Sequence, residues 1–403
     1  MSLALMPRTA EGEALVAAID SLAPSLRAWA ADADRENTLS ADTFTAVQEA
    51  GIAAAFVPKA LGGFGLTSMH DWIVAICRLA HGDGAVAIAL SMHYSATRGM
   101  ADRYASTEPG SDEHGRLEEM LAAVGRREML ICSTTTESGT DNLHPLTEAV
   151  RTDAGWVING RKYFVTMSPV ATHVALNVRA RGDLGQDHIA NVVVPMSNPG
   201  IHPNDDWDAL GMRGSGSQSV SFIDCVVPAD AVRLVGPWGQ WSKPVLLHRT
   251  LANVPLVGAF LGIAESAYEI GLAGLRSRTQ RSADSGVQHT VAEMQIALAT
   301  CQSLMSRIGL QLDEVVRSPG SLTWEAGHEL MKDYQSVKWV VNRQAIDVVH
   351  QAMDLAGGGG FLSVNPLTRL YRDVRAGPFM QPHSPVDARE YIGRVELGRY
   401  PEE

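Results

Sequence analysis

The chain has 403 residues, 45% of them hydrophobic and 19% charged, with a formal net charge of -12. That length is two to three domains' worth and can bury a large core. The acidic balance argues against a broad nucleic-acid or anionic-membrane surface, while leaving room for one local basic pocket for a phosphorylated small molecule.

The N-terminus "MSLALMPRTAEGEAL" has no basic region followed by a sustained apolar run, so no secretory signal is expected. The longest apolar stretches, such as residues 254–264, are short for a bilayer. A cytoplasmic protein is therefore expected. Cys77, Cys132, Cys225 and Cys301 are far apart and form no CxxC pair, which predicts buried free thiols rather than a disulfide or zinc site.

Residues 1–127 read as an α-helical domain. "EALVAAIDSLAPSLRAWAADADREN" keeps apolar residues three and four apart, and "SADTFTAVQEAGI" has a serine cap, an amphipathic body and a terminal glycine. Gly63 and Gly65 in "LGGFG" read as a turn, since no alternating strand precedes them. His70, His81, His93 and His144 show no metal-ligand spacing and read as surface or capping residues.

The texture changes at residue 128. Short β-branched and aromatic runs, broken by Gly, Asn, Asp and Pro about every ten residues, predict a small antiparallel barrel or sandwich over 128–238. Asn159-Gly160 in "INGRKYFV" predicts a hairpin turn. Residues 239–403 return to helix. Three long amphipathic segments plus the 366–395 region predict a four-helix bundle.

Two stretches stand out. "ICSTTTESGTDN" gathers hydroxyls, Thr134 and Thr136 among them, around one glutamate, and "GRKYFVTMS" follows it. Such hydroxyls and loop amides can bind the polar edge of a flavin, with an aromatic residue such as Phe164 covering the ring. "LAGGGGFLSVNPLTRLYRD" places four glycines at a helix end, where a backbone turns through positive φ or approaches something bulky.

"TTTESGTD", "WVINGRKYFVT", "LGMRGSGSQSVSFIDCVVP", "RSRTQ" and "LAGGGGFLSVNPLTRLYRD" occur in the order found in the acyl-CoA dehydrogenase family, which the chain resembles over nearly its whole length. The resemblance implies an α-helical domain, a middle β-barrel domain and a C-terminal four-helix bundle, assembled as a homotetramer or homodimer with one FAD per subunit. By the same resemblance, Thr136 lies at the flavin pyrimidine edge and Thr140 at the diphosphate. Phe164 and Thr166 lie near the flavin N5. Arg278 meets the cofactor diphosphate of the neighbouring subunit, with Gly357 and Gly358 along the same tail. Gln280 reads equally as an adenine contact or an exposed helix end, and Asp354 stands where a glutamine is common.

Family members that oxidise an acyl-CoA or acyl-carrier thioester use a glutamate to remove the α-proton. That position here is Gln381, and the alternative one, near Ala252, is no acid either. A primary amide cannot take the proton. FAD-dependent α,β-oxidation of an acyl thioester, with hydride transfer to the flavin N5, is the first expectation from the resemblance, and three readings of the missing base stay open. His383 in "PHSP" replaces the carboxylate as a neutral imidazole; or the chain resembles the flavin monooxygenases built on this fold, using FAD, or FMN supplied reduced by a partner reductase, together with dioxygen; or it only binds its ligands. The first would pass electrons to an electron-transfer flavoprotein. His383 also reads as a purely structural contact. Neither a nucleophile elbow nor HExxH is present.

Overall fold

The computed structural model describes residues 3–182, 185–276, 278–318, 320 and 322–402. Five α-helices come first: α1 (Ala10–Glu36), α2 (Ala41–Glu49), α3 (Met69–Gly82), α4 (Gly84–Ser106) and α5 (Asp112–Gly125). Each starts on a side chain that accepts a first-turn N–H: Thr9, Ser40, Ser68, Asp83 and Ser111. Almost every residue of α3 is buried, which makes it the centre of this region rather than an amphipathic cover.

Two histidines depart from the surface reading. His70, 2% exposed, sits between Asp71 and Ser306. His93, fully buried, accepts the Ile131 N–H at Nδ1 (3.0 Å), so Nε2 carries the hydrogen and donates to the Ala53 carbonyl (3.0 Å). It stitches α4 to the first strand.

Eight strands follow: β1 (Ile131–Thr134), β2 (Glu148–Thr152), β3 (Gly155–Val165), β4 (His173–Arg181), β5 (His188–Pro195), β6 (Ile201–Pro203), β7 (Gln218–Val227) and β8 (Val232–Pro237). They form one sheet in the order β6-β7-β3-β2-β4-β5-β8, with β1 paired to β4. This is an open sheet and not a closed antiparallel barrel. β4 pairs antiparallel with β5 on one edge, and on the other takes β1 and then β2, both parallel. The β1–β2 connection, residues 135–147, leaves the sheet where those two meet. Asn159-Gly160 is no hairpin turn either. Both residues lie within β3 at a register shift against β7, because a Cβ on Gly160 would come 2.5 Å from the Thr147 hydroxyl. The turn is at Asp153-Ala154, between the paired residues Thr152 and Gly155.

Six helices complete the chain: α6 (Lys243–Arg276), α7 (Thr279–Ser282), α8 (Ser285–Arg317), α9 (Trp324–Ala356), α10 (Pro366–Asp373) and α11 (Pro385–Glu396). The long helices α6, α8 and α9 pack on one another, with α10 and α11 along α9 in the fourth place of the bundle. By length and composition α6 could cross a membrane, but 67% of its apolar window is buried inside the fold, against α3, α4 and α9. It is a core helix. Gly262 lets α3 and α6 cross closely, since a Cβ there would lie 2.2 Å from the Cys77 carbonyl. All four cysteines are buried and free.

Candidate functional site

The hydroxyl-rich segment and the residues around Phe164 meet at the mouth of β1 and the end of β3. Thr134 Oγ1 donates to the Tyr163 carbonyl (3.0 Å), and the Tyr163 N–H donates to the Thr136 carbonyl (2.9 Å), so the loop runs beside the strand like an extra ladder rung. Next along β3, Phe164 is 58% exposed with φ 52°, its ring edge-on to Trp207 at 6.0 Å. A bulky residue in the left-handed region costs about 1–3 kcal/mol and persists only where its surroundings enforce it. Here it turns a large aromatic face outward. Thr166 is buried, its Oγ1 sharing a hydrogen with Ser217 Oγ (2.9 Å), which meets Ser215 Oγ (2.7 Å).

A buried ion pair fixes this loop. Lys162 Nζ donates to Glu137 and to Asn177 Oδ1 (2.8 Å), and the Glu137 carboxylate also accepts the N–H groups of Leu146 (2.5 Å) and Thr147 (3.0 Å). Burial pushes the Glu137 carboxyl up, yet the ammonium and the two amides outweigh it and leave the group below its ordinary range. Burial pulls Lys162 down to about 8 despite its partner. Both are charged at neutral pH. No motif marked this pair. The one signal was parity, since simple strand alternation puts Lys162 on the inward face of Trp156 and Ile158, where a lysine needs a buried acid.

The loop after α10 closes over the same hydroxyls. Gln381 is held on both sides: its Oε1 accepts from Asn142 Nδ2 (3.0 Å) and its Nε2 donates to Thr136 Oγ1 (3.3 Å). α9 grips the backbone, with the Tyr334 hydroxyl donating to the Gln381 carbonyl (2.9 Å) and Lys338 Nζ to the carbonyls of Met380 and His383. At the start of the segment, Asp373 accepts the Met212 N–H (2.6 Å) and ties it to the "GMRGS" turn.

His383 does not share Gln381's surroundings. Its ring stacks on Tyr391 (4.8 Å), its Nε2 is buried without a partner, and it lines a cavity of about 510 Å³ with Gln335, Trp339, Asn342, Arg375 and Phe379. Burial, with the charges of Lys338 and Arg249, pulls its pKa down to about 4. It is neutral at pH 7, but it is not the base titrating near neutrality that the sequence suggested. Thr140 stays within its own loop, donating to the His144 carbonyl (2.6 Å).

Arg278 and the glycines form a separate place. Arg278, Gln280 and Arg281 line an open hollow beside α7. Gly357 has φ 67°, and a Cβ there would lie 3.6 Å from Arg281 Nη1, while Gly358 and Gly359 face open space. The Asp354 carboxylate turns to His350 on its own helix (3.6 Å). Thr134, Thr136 and Gln381 thus meet, with Phe164 next along the strand after Tyr163, while Thr166 joins the Ser215–Ser217 hydroxyls and Gly357 lies by Arg281, in the turn that follows Arg278.

Sequence models of the acyl-CoA dehydrogenase N-terminal, middle and C-terminal domains match residues 9–109, 131–225 and 253–393. Amino sugar nitrososynthase DnmZ of Streptomyces peucetius is 34% identical over 393 residues, covering 98% of this chain and 95% of that protein. A structure of KijD3 in complex with FMN and dTDP-3-amino-2,3,6-trideoxy-4-keto-3-methyl-D-glucose superposes with a TM-score of 0.93 at 31% identity, covering 100% of this chain and 98% of that one. Butyryl-CoA dehydrogenase from Megasphaera elsdenii, at 20% identity and a TM-score of 0.81 over 97% of this chain and 99% of that one, shares the fold.

Proposed function

This chain belongs to the acyl-CoA dehydrogenase family and is a flavin-dependent oxidoreductase, and from that premise we propose that it is a monooxygenase that oxidises the amine of a nucleotide-linked amino sugar. In outline the amine, dioxygen and a reduced flavin give the N-hydroxylated amine, water and oxidised flavin; further rounds lead to the nitroso sugar. A separate reductase returns the flavin to its reduced form. Thioester dehydrogenation, the first expectation from the family resemblance, draws support only from more distant relatives, such as the short-chain acyl-CoA dehydrogenase of Homo sapiens at 24% identity.

The observation that carries this reading is Gln381. Its amide is bound at both ends, and an amide has no pair of electrons basic enough to remove a thioester α-proton. The nearby carboxylate of Glu137 offers no substitute, since Lys162 and two backbone amides already hold it. An amine needs no such base for its carbon skeleton, because its own lone pair attacks the oxygen.

The residues fit a flavin. An exposed aromatic face at Phe164 follows Tyr163, whose N–H holds the Thr136 carbonyl, and the Thr136 hydroxyl with the Gln381 amide offers polar groups for the ring's edge. When bound, reduced flavin supplies the electrons with which dioxygen is activated. We take FMN as that flavin, as in the KijD3 complex. The protein's share is to hold the ring on Phe164 and keep its polar edge at Thr136 and Gln381.

The test mixes the protein with chemically reduced FMN, dioxygen and a dTDP-linked amino sugar, and follows the sugar by mass spectrometry. Gain of oxygen at the amine is expected. Flavin bleaching by acyl-CoA thioesters under anaerobic conditions, with the amino sugar unchanged, would overturn the proposal.

A further inference from the structure

Gln381 is the middle of a short hydrogen-bond relay, and the direction of that relay has a chemical consequence. Asn142 Nδ2 donates to Gln381 Oε1 (3.0 Å), and Gln381 Nε2 donates to Thr136 Oγ1 (3.3 Å). Asn142 stands on the β1–β2 connection and Gln381 on the segment after α10, 239 positions further on. Among the described residues this is the one hydrogen bond of the Asn142 side chain. Thr136 ends the relay as an acceptor, and no described residue takes the hydrogen of its hydroxyl. That hydrogen is left to give.

The donors and acceptors of amides and hydroxyls allow one other self-consistent arrangement. In it Thr136 gives its hydrogen to Gln381 Oε1, and Gln381 Nε2 gives to Asn142 Oδ1. Thr136 then has only a lone pair to offer. The structure holds the first arrangement. The grip of α9 on this segment does not select it, because the Tyr334 hydroxyl and Lys338 Nζ bind the carbonyls of Gln381, Met380 and His383 and leave the side-chain amide alone. What holds the amide this way round is Asn142, which gives Oε1 a donor. Without it, Oε1 is free to turn to the Thr136 hydroxyl. Hydrogen bonds running one way along a chain also polarise one another, which makes the last hydrogen a better donor.

Resting on the flavin placement given above, we propose that Asn142 is a positioning residue: through Gln381 it aims the Thr136 hydroxyl, as a donor, at the polar edge of the flavin. The reduced ring carries more negative charge on that edge than the oxidised ring and gains more from a donor there. A glutamate at position 381 acts in the opposite sense. An ionised carboxylate only accepts, so it draws the Thr136 hydrogen to itself and away from the cofactor. The amide at 381 thus favours reduced flavin in a site that has no thioester base.

Equilibrium dialysis of oxidised FMN in air and of dithionite-reduced FMN under argon tests this in the full chain, with Asn142→Ala, Asn142→Asp, Thr136→Val and the double variant of the first and third. Asn142 is half-buried and makes a single side-chain bond, so its variants fold. Asn142→Ala is expected to weaken reduced FMN about fivefold, the factor one hydrogen bond carries, and oxidised FMN by under about twofold. Asn142→Asp, which can only accept and so reverses the relay, weakens reduced FMN at least as much. Thr136→Val weakens it as well, and adding Asn142→Ala then changes nothing further. Equal losses for the two forms of FMN, an undiminished effect of Asn142→Ala in the Thr136→Val background, or wild-type binding by Thr136→Val would each overturn the assignment. Amine oxidation is read separately by mass spectrometry. The expected binding pattern without oxygen on the amino sugar keeps the relay and removes the function; amine oxidation with equal losses for both forms of FMN does the reverse.

Discussion

Two clusters of charge in this molecule are built in opposite ways. Under the hydroxyl-rich loop, Lys162, Glu137 and Asn177 are buried with their partners in place and the backbone amides of Leu146 and Thr147 closing the set. On α4, β8 and α6, by contrast, Arg98 pairs with Asp102 of its own helix, Arg249 has a buried Nη2 with no partner among the described residues, and Arg233 is exposed. Satisfied buried charges hold a loop still whatever is bound, whereas an unsatisfied buried one is a standing cost. The first cluster belongs to the architecture of the site.

Breaking the first cluster has the largest effect. Lys162→Met leaves the buried Glu137 carboxylate without its countercharge and with only two backbone amides, which costs about 3–5 kcal/mol of stability, measured by chemical denaturation. Adding Glu137→Gln recovers most of that loss, because the orphaned charge is gone. A single variant as stable as the wild type would show that the pair holds nothing.

Acid comes next. His93 is held neutral, its pKa pulled from 6.5 to about 4 by burial, and the Ile131 N–H aimed at Nδ1 also favours the uncharged ring. Between those values the unfolded chain binds a proton that the folded one refuses, so stability falls as pH drops through that window, by about 3 kcal/mol in all. Denaturation midpoints at pH 7, 5.5 and 4 read this slope, and His93→Gln flattens it.

A smaller effect is expected at Gln381. Gln381→Glu loses the N–H donated to Thr136 and weakens flavin binding by a few-fold, about 1 kcal/mol, read by fluorescence titration, without creating thioester dehydrogenation. The exposed arginine of β8 matters little to folding: Arg233→Gln changes stability by under about 0.5 kcal/mol, measured by chemical denaturation. The smallest concerns the flavin's form: Arg278→Ala leaves FMN affinity unchanged, and a marked loss for FAD would bring the Arg281–Gly357 hollow into the cofactor site.

How far the sequence carried this picture differs from region to region. The order of "TTTESGTD", "GRKYFVT" and the glycine run made the family and the three-part layout legible, and Thr136 and Gln381 do meet in space. The partner of Lys162 was not legible. It lies 25 residues away on a loop whose position depends on β1 and β2 sharing one edge of β4, a parallel arrangement that alternating patterns cannot distinguish from a barrel. Asn159-Gly160 had the residues of a hairpin turn, but tertiary contact with Thr147 used the glycine for a bulge.

The central claim is that oxygen reaches the amine of a sugar and that no hydride leaves an acyl chain. The most direct measurement supplies isotopically labelled dioxygen to the protein with chemically reduced FMN and a dTDP-linked amino sugar, and follows the label. Label on the sugar nitrogen is the predicted result. Label found only in hydrogen peroxide, together with anaerobic bleaching of the flavin by an acyl-CoA thioester, would contradict it.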